Sequence, residues 1–160
     1  MLISGFVASC GSESADSGKH SNEVAEIGDY TEATYPWGYI NRSGVLVIPH
    51  RYDDCRDFSE GKAVVRIGGE WGFIDRSGSI AIPLKYQGAW SFSEGMARVL
   101  THDNTMGFVD HSGNEVIAPV FEEVFDFREG RARFRTGLKF GYLDKFGTVR
   151  VQPLFEGGGN

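Results

Sequence analysis

The chain has little cysteine, no long apolar run and no excess of positive charge, and each shortage removes a class of protein. Its two cysteines among 160 residues, Cys10 and Cys55, are too few for a disulfide framework. Cys55 has no partner at the usual metal-ligand spacing, so it reads as a free or half-buried thiol. No stretch approaches the ~20 apolar residues that cross a bilayer as a helix. The net charge is −6, but residues 1–35 hold six acids against Lys19 alone, which leaves the remainder at only −1. A near-neutral body lacks the electrostatic footprint of a duplex nucleic-acid binder.

Signatures of catalysis are equally sparse. His20, His50, His102 and His111 show no paired metal spacing. His111-Ser112 are adjacent, but they occupy a turn that reads Arg-Ser elsewhere in the chain. Gly68-Gly69 and Gly157-Gly158-Gly159 lack the strand-to-helix context of a phosphate cradle. The expectation is a protein without catalytic residues, metal or cofactor.

What the chain does have is a period. Trp37-Gly38-Tyr39-Ile40-Asn41-Arg42-Ser43-Gly44 returns 34 residues later as Trp71-Gly72-Phe73-Ile74-Asp75-Arg76-Ser77-Gly78. Looser copies begin at Met106-Gly107 and Phe140-Gly141 and end at Gly113 and Gly147. Self-similarity at 34–35 residues indicates stacked units that bury one another's apolar faces. In the clearest copy, Lys62–Ile67 and Trp71–Asp75 read as strands joined at Gly68-Gly69, and Ser79–Ile82 as a third strand that Pro83 ends. Each unit is therefore a three-stranded antiparallel meander.

The second turn of each unit carries Asn or Asp (Asn41, Asp75, Asp110, Asp144), whose side chain can accept bonds from backbone N–H groups ahead of it. Gly follows three residues later, where a three-residue hairpin loop wants a left-handed residue. One acid per turn is too few for a calcium loop. Between units, aromatics recur at Tyr52, Tyr86, Phe121 and Phe155, then at Phe58, Phe92 and Phe127, followed by Glu-Gly at 60–61, 94–95 and 129–130. Such aromatics are expected to pin each connector against the sheets.

The fold expected is an all-β tandem array of four meanders (30–49, 61–83, 95–119 and 130–153), open and twisted, with a small closed propeller as the alternative. A degenerate first strand is placed at 30–35, and residues 11–29 read as a disordered acidic linker.

The Trp-Gly pairs at 37–38 and 71–72, with Ile-Pro and Phe-Ser-Glu-Gly further on, resemble the bacterial WG-repeat family over residues 37–160. That resemblance implies a β-repeat module, common in secreted, surface or lipid-anchored proteins, with no catalytic residues to carry over. Val7-Ala8-Ser9-Cys10 is similar to the lipobox of bacterial lipoprotein signals, so residues 1–10 read as a truncated signal-like segment with lipid on Cys10. This implies an anchor at the cell envelope; a secreted or periplasmic soluble protein is the alternative. Membrane association would come only through that lipid.

One further pattern concerns ligands. With Ala63/Val65, Ala97/Val99 and Ala132/Phe134 on one face, strand alternation puts Arg66, Arg98, Arg131, Arg133 and Arg135 on the other. These could form a cationic stripe or an ordinary solvated face. The function expected is a non-enzymatic scaffold for another envelope protein, or a binder of glycan, peptidoglycan or anionic lipid head groups.

Overall fold

The computed structural model describes residues 9–11 and 37–156, with side chains described for 37–154. Of the disordered linker expected at 11–29, Gly11 instead pairs with Gly38 in a strand; the rest of it and the strand expected at 30–35 lie outside the described residues. Every described element is a β-strand, and the strands form four antiparallel sheets in chain order. The first contains β1 (Ser9–Gly11), β2 (Trp37–Ile40) and β3 (Leu46–Tyr52). The second contains β4 (Asp54–Cys55), β5 (Lys62–Ile67), β6 (Glu70–Asp75) and β7 (Ile80–Tyr86). The third contains β8 (Gly88–Ala89), β9 (Ala97–Leu100), β10 (Met106–Val109) and β11 (Glu115–Phe121). The fourth contains β12 (Glu123–Val124), β13 (Arg131–Thr136), β14 (Lys139–Asp144) and β15 (Val149–Glu156).

Two features differ from the three-stranded expectation. Each connector contributes a two-residue strand to the sheet that follows, so units two to four have four strands. The third long strand also runs past its proline. Between Trp71↔Tyr86 and Phe73↔Ile82, two residues of β6 face four of β7, so Pro83 sits in a bulge where its missing N–H is tolerated. The bulge explains the glycine of the Trp-Gly pair. A Cβ on Gly72 would lie 2.7 Å from Ile82 O and 2.8 Å from Leu84 N, because the bulged backbone packs directly on its Cα. Gly38, Gly107 and Gly141 meet the equivalent carbonyls of Ile48, Ile117 and Val151.

The Asn/Asp turns form as expected. Asp75 Oδ1 accepts from the N–H groups of Ser77 (2.8 Å) and Ser79 (3.2 Å), and Gly78 takes φ 82°. The Ser77 hydroxyl and backbone bonds hold the Asp75 carboxyl below its ordinary range. At Asp110 the Asn114 side chain and backbone do the same. At Asp144 desolvation opposes the shift, but the N–H groups of Thr148 and Phe146 and the Arg150 guanidinium outweigh it.

The hydrophobic core is three separate layers, one per junction. Tyr39, Ile48 and Tyr52 of the first sheet meet Ala63, Val65 and Ile74 of the second. Val64, Phe73, Ile82 and Tyr86 on the second sheet's other face meet Ala97, Val99 and Val109 of the third. Phe108 and Ile117 then meet Ala132, Phe134 and Leu143 of the fourth. Inner sheets are thus buried on both faces, and packing runs from each sheet to the next. This is the open array, and no closed barrel or ring is formed among the described strands. Cys55, in the first layer, is buried and disulfide-bonded, which corrects the free-thiol reading. Of Cys10 only the backbone, paired with Tyr39 in β1, is described.

Two glycine substitutions separate the roles. Gly72→Ala is expected to cost about 2–3 kcal/mol by forcing the bulged backbone aside. Gly44→Ala, at φ 77° with no described atom within 4 Å of the added Cβ, is expected to cost about 1 kcal/mol from strain alone. Urea unfolding of both variants reads the difference, and equal losses would show that the close approach at Gly72 does not matter.

Candidate functional site

What joins one sheet to the next is the Phe-Ser-Glu-Gly connector. Glu60-Gly61, Glu94-Gly95 and Glu129-Gly130 all have positive φ at both residues, from 50° to 85°. This is the requirement of a type I′ two-residue hairpin turn. The flanking residues exchange both backbone hydrogen bonds, as in Ser59 N to Lys62 O (2.8 Å) and Lys62 N to Ser59 O (3.0 Å). A glutamate in the left-handed region is strained by about 1–2 kcal/mol.

The strain has a use at two of the three sites. Glu60 Oε2 accepts from the Gly95 N–H of the next connector (2.9 Å) and lies 3.0 Å from His111 Nε2. Glu94 Oε2 likewise accepts from Gly130 N–H (2.9 Å) and pairs with Lys145 Nζ at 3.3 Å. The Gly130 N–H, with Lys145 beyond it, holds the Glu94 carboxyl below its usual range. In parallel, Ser59 Oγ donates to Phe92 O and Ser93 Oγ to Phe127 O, both at 2.8 Å.

The phenylalanine of each connector caps the aromatic after the Trp-Gly glycine. Phe58 meets Tyr39 at 5.0 Å between centroids, Phe92 meets Phe73 at 5.1 Å, and Phe127 meets Phe108 at 4.8 Å, all edge-to-face. The capped rings are at most 1% exposed. Tyr142, their counterpart in the fourth sheet, is 38% exposed.

Around Tyr142 lies a groove of about 500 Å³ on the outer face of the fourth sheet, lined by Arg98, Phe125, Asp126, Arg128, Glu129, Arg131 and Arg133. Three of the five arginines expected from strand alternation therefore converge. Arg98 Nε lies 2.6 Å from Asp126 Oδ1, though too poorly aligned to hydrogen-bond, while Nη1 donates to Val124 O at 3.0 Å. Arg133 is held between Phe125 (4.1 Å) and Phe140 (4.6 Å), which orders the cation in advance. Arg128, Arg131 and Arg133 form no ion pair among the described residues.

The other two arginines stand apart. Arg66 lies over the Trp71 ring at 5.4 Å, and Arg135 pairs with Glu123 at 2.7 Å. A continuous stripe does not form, because the corresponding faces of the second and third sheets are covered by the next sheet. Arg133 occupies the position of the buried Val64, on the one sheet that has no described successor. Sequence reasoning missed Arg128, although a signal was present: it stands where the other connectors have Ser59 and Ser93.

Of the repeat signature, Trp37 and Trp71 are half-buried against the first and second core layers, with Arg56 also over Trp71 at 5.7 Å. Gly78, Gly113 and Gly147 lie over Ile48, Ile82 and Ile117 of the preceding sheet, whereas Gly44 has no described neighbour within 4 Å.

No curated protein and no solved structure matches the chain. The family model described as "WG containing repeat" matches residues 37–71, 71–104 and 106–139, and the fourth sheet repeats the same strand order. With well over half its length covered by three copies in register, the chain belongs to the WG containing repeat family.

Proposed function

We propose that this chain is a non-enzymatic binding module of the bacterial cell envelope, and that it holds a partner protein at the groove beside Tyr142. The observation that carries this reading is the accumulation of Arg128, Arg131 and Arg133, without ion-pair partners among the described residues, around an exposed tyrosine. A sheet face that no described sheet covers needs only polar side chains to tolerate water. Cations of one sign set beside Phe125 and Tyr142 supply more than that: attraction for an anionic segment and apolar surface to hold it. A sugar platform on Trp71 is less favoured, since Arg56 and Arg66 already lie over that ring.

The test is capture from envelope fractions at low salt by the wild-type chain and by the Arg128→Ala/Arg131→Ala/Arg133→Ala variant. A protein retained by the first and lost by the second supports the reading. Retention that is insensitive to both salt and the triple substitution contradicts it. Retention of anionic glycan or of lipid vesicles alone moves the function to the second class expected from the sequence.

Two features support the location and make different demands on Cys10. The lipobox-like segment calls for lipid on its sulfur, whereas the disulfide at Cys55 suits an oxidising compartment. Cys10 is the chain's one other cysteine, so a thioether on its sulfur and a disulfide from it to Cys55 exclude one another. Thiol titration of the unfolded, unreduced protein separates the cases. No reactive thiol is expected for a soluble envelope protein closed by that disulfide; detergent-phase partitioning that is lost in Cys10→Ser is expected for an anchored one. Two thiols would contradict both.

A further inference from the structure

Each inner junction of the array records what covers the surface that the groove leaves open. At all three, a connector places a phenylalanine edge-to-face on the aromatic after the Trp-Gly glycine. Where a further connector follows, its glycine, three residues after the phenylalanine, donates its N–H to the glutamate of the connector below. Its phenylalanine carbonyl accepts from the serine below. The fourth sheet presents the same three receptors with no connector over them among the described residues. Tyr142 is the ring awaiting a cap. Glu129 has the strained φ of 51°, yet among the described residues its carboxylate has none of the inter-connector bonds made by Glu60 and Glu94. Arg128 replaces the donor serine with a longer, charged donor.

Resting on the binding reading above, we infer that the groove takes a segment of a partner protein that imitates the repeat's own connector: an aromatic residue, a glycine three positions later, and acidic residues beside them. The aromatic enters against Tyr142, the glycine N–H meets Glu129, and the Arg128 guanidinium meets the aromatic's carbonyl. The acidic character follows from charge. With Arg98 occupied by Asp126, the groove retains three arginines against Glu129 alone. Two of the three connectors seated at inner junctions already have this chemistry, 122–130 and Asp53-Asp54-Cys55-Arg56-Asp57-Phe58-Ser59-Glu60-Gly61, whereas 87–95 carries Glu94 as its one acid.

The glycine requirement is conformational. At Gly61, Gly95 and Gly130 the backbone is left-handed with φ between 73° and 85°, so a side chain at that point is strained. Specificity would therefore come from the pair of anchors and their spacing, and the arginines would supply the rate and the salt dependence of association.

The experiment uses the full chain and a synthetic peptide of the 53–61 sequence with its cysteine replaced by serine. Control peptides replace the phenylalanine or the glycine by alanine, and another scrambles the order at constant charge. Affinity is measured by calorimetry at low and physiological salt. Loss of about tenfold or more is expected for the phenylalanine control, from the lost aromatic burial. A loss of several-fold is expected for the glycine control. Glu129→Gln should weaken the parent peptide and leave the glycine control nearly unchanged, a coupling that a nonspecific basic surface would not produce. Because Glu129 is exposed, an unchanged melting curve will show that the variant is folded.

Equal affinity for the parent, scrambled and alanine peptides overturns the inference while leaving the basic binding groove in place. No peptide binding, with an envelope protein still captured through the arginines, also overturns it. Failure of both peptide binding and capture removes the binding reading itself.

Discussion

The fold depends on a glutamate held in an unfavourable backbone conformation because its carboxylate ties one connector to the next. Each inner sheet has two apolar faces and cannot hide either alone. Side-chain burial supplies most of the favourable free energy, on the order of a few kcal/mol per aromatic, but burial has no direction. The connectors supply it. Glu60 to Gly95 and Glu94 to Gly130 repeat one bond at one spacing, and Ser59 and Ser93 add a second beside it. These bonds set the distance and register at which Phe92 and Phe127 reach their rings. The array is therefore a column of equivalent junctions rather than one core cut into pieces.

The proposed binding surface is the same device with its second half outside the described residues. A junction is two half-sites: a sheet with a ring to be capped, and a connector that caps it. On the fourth sheet only the first half is described, and there the apolar Val64 position has become Arg133. The substitution keeps the outer face soluble and gives it a sign. Phe125 and Phe140 hold that arginine in place, so the cation is ordered before a ligand arrives.

Much of this was legible in the chain. The 34–35-residue period, the Asn/Asp turns and the meander are local, and local signals survive without knowledge of the packing. Less visible was anything that depends on which face meets which neighbour. Gly72 reads as half of a Trp-Gly pair; only the bulge in β7 shows that a backbone lies against its Cα. Pro83 reads as a stop, yet the bulge carries the strand past it. Strand alternation placed five arginines on one side of their strands. It could not tell that this side is covered in the second and third sheets and open in the fourth. Aligning the copies would have gone further, since Val64, Arg98 and Arg133 are equivalent, as are Ser59, Ser93 and Arg128. Cys55 lay beyond such reasoning, because two cysteines 45 residues apart make no pattern.

The most direct measurement is native-state hydrogen exchange at Gly95 and Gly130 in the single variants Glu60→Ala and Glu94→Ala. If carboxylates tie the connectors one junction at a time, Glu60→Ala speeds exchange at Gly95 and spares Gly130, and Glu94→Ala does the reverse. Unchanged exchange at both glycines, or equal loss at both in either variant, would contradict stacking by those bonds.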